Sequence, residues 1–271
     1  MNVAAATTGL RIVPPAVFQA RRPHRMLERS VMVNRRTWLI IVSGFFEPLF
    51  YLLSIRIGFD ELVGNVTVGG RAVDYASFVA PALMASSAMN GAVFESTMNV
   101  YHKMKHAKLY DSVLATPMSA ADVALGEIGW AVIRGALYST AFLVTMWALG
   151  MTESATVVFA LPVSVLIAFA FASVGMAATT YMRTWADFEY VTAATLPLFL
   201  FSATFYPLSS YGDWGWVVQL SPLYHGVALV RAASVGESIG WAGVGHVAVL
   251  VGLTLLGLTI AARRIERLLL Q

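Results

Sequence analysis

Hydrophobic residues in this chain come in long stretches, broken by short polar segments. Six stretches approach the roughly 20 residues needed to cross a hydrocarbon core about 30 Å thick. They are Thr37–Ile57, Tyr75–Met98, Val123–Gly150, Ala155–Tyr181, Phe188–Tyr206 and Trp241–Ala262. The pattern predicts an all-α polytopic membrane protein with six transmembrane helices. One transmembrane domain covers residues 37–262, between a basic tail (1–36) and a short C-terminal tail (263–271). The basic tail lacks the adjacent short apolar core and small-residue cleavage site of a signal peptide.

Composition narrows the class further. Of 271 residues, 58% are hydrophobic and 12% charged, and the mean hydropathy is +0.70. Soluble domains carry about 25% charged residues, and disordered chains need low hydrophobicity with high charge, so both classes are excluded. The chain has no Cys, which removes disulfides, thiolate chemistry and Cys-based metal sites. A net charge of +3 raises the question of nucleic acid, but the cations follow the topology instead. Counted along the non-spanning segments, Lys and Arg number seven, one, three, none, one, one and three, with Arg56 and Arg134 inside spans. That alternation places both termini in the cytoplasm, as an even number of spans requires, and argues against a nucleic-acid partner.

Three non-spanning segments have a character of their own. From Pro15 the tail interleaves Val17, Phe18, Met26, Leu27, Val31 and Met32 with five Arg between residues 21 and 35. This reads as a basic interfacial helix on the anionic inner leaflet, the alternative being a solvated tail that only sets topology. Residues 102–119, between spans two and three, suit a short cytoplasmic helix stopped by Pro117. Ser119 then serves as an N-cap, with Asp122 three residues on. This segment either docks into a partner or is a solvated basic loop. Residues 207–238 carry Trp214, Trp216, Tyr211 and Tyr224, punctuated by Pro207 and Pro222. They are too short for two spans and too apolar for a free loop. A pair of short helices dipping into the outer leaflet fits; an ordered cap on the membrane surface is the alternative.

Ionisable groups inside spans cost free energy and mark function or internal pairing. Arg56 can snorkel at the outer end of span one. Glu95 and Glu127 lie near the cytoplasmic ends of spans two and three, where they can brace the connecting segment. Glu47, beside Pro48, and Arg134 lie deeper and are expected to pair with each other or to serve the cargo path. Catalytic signatures are missing: there is no G-x-x-x-x-G-K-[ST], no H-E-x-x-H and no G-x-S-x-G. His102 and His106 are spaced for a metal but have no third ligand nearby, so no metal site is expected.

Taken in order, several short motifs resemble the ABC-2 type transporter permeases, in particular the nodulation-factor and daunorubicin-type exporter branch. The carrying residues are Glu47-Pro48-Leu49-Phe50-Tyr51-Leu52-Leu53, Tyr75-Ala76-Ser77-Phe78-Val79-Ala80-Pro81, Ser86-Ser87-Ala88-Met89 and Phe94-Glu95-Ser96-Thr97. After the loop come Ala115-Thr116-Pro117-Met118-Ser119 and Leu125-Gly126-Glu127. Late in the chain stand Phe205-Tyr206-Pro207-Leu208, Leu220-Ser221-Pro222-Leu223-Tyr224-His225 and Leu229-Val230-Arg231. Two departures stand out: a Lys- and His-rich loop before Thr116, and Tyr206 where a Phe is more usual. The resemblance implies a dimer, formed with a second copy or a close paralogue. Two separate ABC ATPase subunits that bind ATP and Mg would dock beneath it, in a bacterial cytoplasmic membrane. It further implies a coupling segment built on Lys105, Lys108, Leu109, Tyr110, Thr116, Pro117 and Glu127. The exit would lie at Tyr206, Pro207, Trp214, Trp216, Pro222 and Tyr224, and Glu47, Glu95 and Arg134 are candidates for the cargo path. Cargo would be amphipathic: a lipid-linked glycan, a lipo-oligosaccharide or a hydrophobic drug. The other readings are a proton-coupled secondary transporter using Glu47 and Arg134, and a membrane anchor for a signalling ATPase.

Overall fold

The computed structural model describes residues 20, 22–35, 38–68, 70–152, 154–236 and 240–269. The side chains of 38–45, Glu47, Pro48, Asp60, Glu61, Val68, Arg71 and Leu269 lie outside the description. Helix α1 (Pro23–Asn34) opens on Pro23, whose fixed φ suits a first helical turn. The part of the expected interfacial helix from Pro15 to Gln19 lies outside the described residues. Helix α2 (Trp38–Gly58) follows, then a helical turn at Asp60–Val63. Next comes an antiparallel hairpin of β1 (Asn65–Val68) and β2 (Arg71–Asp74). This hairpin corrects the all-α expectation. Its strands are four residues each, a signal too short to stand out against the adjoining spans.

Helix α3 (Tyr75–Phe94) runs on without a break through two wide π turns, Glu95–Asn99 and His102–His106. Helix α4 (Leu109–Leu114) is short and follows Lys108, which sits in the left-handed region at φ 44°. Helix α5 (Ala120–Ala148) starts at Ser119, whose hydroxyl accepts from the Asp122 N–H while Asp122 accepts from the Ser119 N–H. This is the reciprocal cap expected from the sequence. A 3₁₀ turn (Ala155–Phe159) leads into α6 (Ala160–Thr179). The fifth apolar stretch forms only α7 (Phe188–Leu200), 13 residues long. After a 3₁₀ stretch (Leu208–Trp214) come α8 (Gly215–Leu220), α9 (Pro222–Val235) and α10 (Gly240–Leu269).

Among the described residues four helical stretches are long and apolar enough to cross a membrane: 75–106, 120–148, 155–179 and 240–268. The fifth apolar stretch forms a shorter helix than its hydropathy predicts. Its helix stops at Leu200, and 13 residues rise only about 20 Å, short of the hydrocarbon core. Backbone from Ser202 to Thr204 is irregular yet buried, which a membrane tolerates only where protein satisfies the freed groups. Here Arg231 Nη2 donates to the Ala203 carbonyl at 2.8 Å, and the Tyr75 hydroxyl donates to the Phe205 carbonyl at 3.3 Å. The boundary expected at Ala262 is also not a break, because α10 continues unbroken through Arg267.

Helix α6 sits at the centre, packed against α3, α5, α9 and α10. Its buried face is rich in small residues, among them Ala168, Ala172, Gly175 and Ala177. Lipid offers no hydrophobic force to drive helices together, so close backbone approach and dispersion must do so. Helix α1 docks on the first turns of α5. Met26 is 1% exposed, and the Arg22 N–H donates to Asp122 at 2.7 Å. Gly126 makes the approach possible, since a Cβ there would collide with Met26 and come within 3.0 Å of the Pro23 carbonyl. We therefore expect Gly126→Val to release α1. Hydrogen exchange should rise across residues 23–34 while the α3 and α6 amides stay protected; unchanged protection of α1 would refute the tight docking.

Candidate functional site

The site begins where α3 leaves regular geometry. In an α-helix, residues eight apart are about 80° out of phase at 100° per residue. A π turn rotates less per residue, and the two π turns between Glu95 and His106 bring Glu95 and Lys103 toward the same face. Both then look onto α5. Lys103 donates to Glu127 at 2.7 Å and lies 3.9 Å from Glu95. Glu95 also accepts from Asn99 at 2.8 Å and pairs with Arg134 at 3.5 Å. Arg134 in turn donates to the Tyr138 hydroxyl at 2.7 Å. Two buried carboxylates and two cations thus form one balanced chain, from the 102–119 segment up to the middle of α5.

Arg134 pairs with Glu95, and the expected pair of Glu47 with Arg134 falls on a side chain outside the described residues. Sequence reasoning singled out Glu95, Glu127 and Arg134 but missed Lys103, Asn99 and Tyr138. The i, i+4 spacing of Glu95–Asn99 and of Arg134–Tyr138 was the available signal.

The expected coupling residues divide into two groups. Lys105, Lys108, Thr116 and Pro117 are exposed, while Leu109 is half-buried and Tyr110 buried. Thr116 donates to the Val113 carbonyl at 2.6 Å, closing the turn that presents Pro117. Burial, and next the neighbouring Glu127 carboxylate, push the Tyr110 hydroxyl well above the usual phenol range. Neither that hydroxyl nor Glu127 Oε1 has a hydrogen-bond partner among the described residues. The exposed turn therefore sits on a buried phenol, and the phenol touches the charge network. On the next cytoplasmic turn, the backbone N–H groups of Arg183 and Thr184 hold the Asp187 carboxyl below its usual range, capping the approach to α7.

Above the network a cleft of about 550 Å³ opens between α3, α5 and α7. Ser87, Asn90, Thr192, Tyr138 and Arg134 give it polar walls, and Phe94 and Phe188 give it aromatic ones. A second cavity, of about 510 Å³, lies between α6 and α7 and shares Val93, Thr97, Val191 and Thr195 with the first. Its remaining lining is mostly apolar, including Phe171, Val174, Ala194 and Leu198. Helix α7 borders both cavities and leaves Tyr190 75% exposed.

On the opposite end, Tyr206, Trp214 and Trp216 are exposed, and Pro207, Pro222 and Tyr224 are half-buried. The expected short helices are present as α8 and α9. Arg231, which the sequence reading placed only within a motif, ties this region together. Its guanidinium lies 4.0 Å from the centre of the Phe78 ring and donates to the Phe78 carbonyl at 3.3 Å. Arg56 donates to the Leu149 carbonyl, consistent with a place at the outer end of α2. Among the described residues no group of three or more His, Asp or Glu could hold a metal.

Known proteins share this chain's pattern. A family model described as ABC-2 type transporter matches residues 24–234. Nodulation protein J of Rhizobium leguminosarum bv. trifolii is 32% identical over 195 residues, covering 71% of this chain and 73% of that protein. Nodulation protein J of Sinorhizobium fredii (strain NBRC 101917 / NGR234) is 31% identical over 195 residues, with the same coverage of 71% and 73%. Nodulation protein J of Rhizobium meliloti (strain 1021) is 29% identical over 201 residues, covering 73% of this chain and 75% of that one. A match from α1 to the end of α9 takes in the turn at Thr116 and Pro117, the charge network, both cavities and the short helices α8 and α9: the chain is a membrane transport protein and belongs to the ABC-2 type transporter family.

Proposed function

We propose that this chain is the permease of an ATP-driven exporter, working as a dimer in a bacterial cytoplasmic membrane with two ABC ATPase subunits below it. The observation that carries the reading is the continuous path from the exposed turn at Thr116 and Pro117 to the polar cleft. It runs through Tyr110, Glu127, Lys103, Glu95 and Arg134. Closure of the ATPases on ATP and Mg would push the coupling turn. Buried charges cannot separate without a large desolvation cost, so α3 and α5 would move with it. The cleft beside α7 would then open toward Tyr206, Trp214 and Trp216. In this reading both termini are cytoplasmic, as the cation alternation suggests, and α2 and the short α7 with the irregular backbone after it serve as the two remaining membrane segments.

The paired cavities suit an amphipathic cargo, with its head in the polar cleft and its tail in the apolar one. Each charge in the network has an opposite partner, so the cleft offers no net charge to an ionic head. Hydroxyl, amide and aromatic walls favour a neutral glycan bearing a lipid over a charged drug.

Vesicles holding the permease with an ABC ATPase should accumulate a fluorescent neutral glycolipid on ATP addition. They should not do so with a pH gradient alone. Transport driven by the gradient without ATP would overturn the reading. We expect the purified permease to hydrolyse no ATP and Pro117→Gly to leave membrane insertion intact while cutting ATP-driven transport at least several-fold. Normal transport by Pro117→Gly would remove the coupling role of the turn.

A further inference from the structure

Two of the five histidines, 21 residues apart in sequence, meet in space. His225 on α9 and His246 on α10 bring their Nδ1 atoms to 2.7 Å, with ring centres 5.0 Å apart. Tyr224 lies edge-on to both rings, at 5.5 Å and 5.7 Å. A contact this short between like ring nitrogens is stable only if one carries a hydrogen and the other a lone pair. The bond therefore links α9 to the outer part of α10. On its other side α9 is fastened differently: Arg231 grips the Phe78 and Ala203 carbonyls, and a guanidinium keeps its charge at any physiological pH.

We infer that His225 and His246 form a proton-sensitive latch between α9 and α10 on the exit side of the protein. In the neutral pair one Nδ1–H donates to the other Nδ1. Adding one proton keeps the bond, since an imidazolium still donates to a neutral imidazole. Adding a second gives both Nδ1 atoms a hydrogen, removes the acceptor and places two positive charges about 5 Å apart. Among the described residues nothing facing the pair neutralises that charge. On α9 the facing groups are the Tyr224 phenol and, a turn and a half further on, the cationic Arg231. Along α10 there is no other charge until Arg263, and α6 carries no titratable side chain. From α8 the Gln219 backbone faces His225. Neither ring pairs with a carboxylate among the described residues; Tyr211 and the exposed Asp213 are the nearest titratable groups in the preceding 3₁₀ stretch. Acid would thus free α10 from α9 while Arg231 holds α9 in place.

The test is amide hydrogen exchange on the full chain in lipid nanodiscs at pH 7.5 and pH 5.0, corrected for the intrinsic pH dependence of exchange. Each variant is compared with its own value at pH 7.5, so a uniform loss of stability cancels. In the wild type, peptides covering residues 222–235 and 240–250 should exchange about tenfold faster at pH 5.0, while those covering 160–179 stay unchanged. His225→Gln and His246→Gln each retain a hydrogen-bonding side chain but cannot form the doubly charged pair, so both should lose the acid response. If one variant fails to fold, the other carries the test. An unchanged acid response in the variants, or none in the wild type, would overturn the latch.

Discussion

Replacing Lys103 by Met is expected to have the largest effect of any single change in the charge network. Lys103 bridges Glu127 at 2.7 Å and Glu95 at 3.9 Å, and the Glu127 side chain is fully buried. Removing one partner of a buried pair costs about 3–5 kcal/mol, because the other charge is left without water or a counter-ion. The Lys103 side chain is 21% exposed, so solvent softens the loss and the lower end applies. The midpoint of thermal unfolding in detergent should fall by several degrees, and ATP-driven transport by tenfold or more. Glu127→Gln added to Lys103→Met should recover most of the stability, since the stranded carboxylate is then gone. Transport should remain low in the double variant if the network carries motion rather than only stability. Strictly additive losses in the two single variants would mean that the pair does not couple.

Gly257→Val is expected to remove folded protein almost entirely. A Cβ at this position would stand 2.6 Å from the Ser173 carbonyl carbon and 2.6 Å from the Val174 nitrogen. Those are backbone atoms in the middle of α6, which cannot rotate aside as a side chain can. Overpacking a well-filled core typically costs about 1–3 kcal/mol, and an obstacle made of one backbone peptide group places this site at the top of that range. The loss should appear as aggregation during size-exclusion chromatography. Gly252→Val, one to two turns earlier in the same helix, meets nothing within 4 Å and should behave as wild type. Equal behaviour of the two variants would contradict the close α6–α10 contact.

Both variants act at helix contacts, and so does the functional arrangement. The polar cleft is bordered by α7, which packs lightly and presents Leu196 and Leu200 outward. The network below it is held by helices that fit closely through Ala and Gly. A loosely held wall beside a rigid frame lets one side of the cleft move while the charge pairs keep α3 and α5 in register.

Sequence by itself determined the membrane character, the long helices and the reciprocal cap at Ser119 and Asp122. It also located the short helix before Pro117 and the short helices between Pro207 and Val235. Each of these rests on local signals: apolar length, cation bias, a cap three residues long, or a proline that stops a helix. Tertiary structure alone decided which charges meet. Lys103 reaches Glu127 because two π turns change the phase of α3, and no residue pattern announces a π turn. Arg134 meets Glu95, 39 residues earlier, because α3 and α5 pack side by side. The fifth stretch reads as a span by hydropathy, yet its helix stops at Leu200. Arg231, 31 residues later, satisfies the carbonyl that the break sets free. His225 and His246 are scattered in sequence and bonded in space. In each case the deciding contact lies between elements far apart along the chain, and only the packing of those elements fixes the distance.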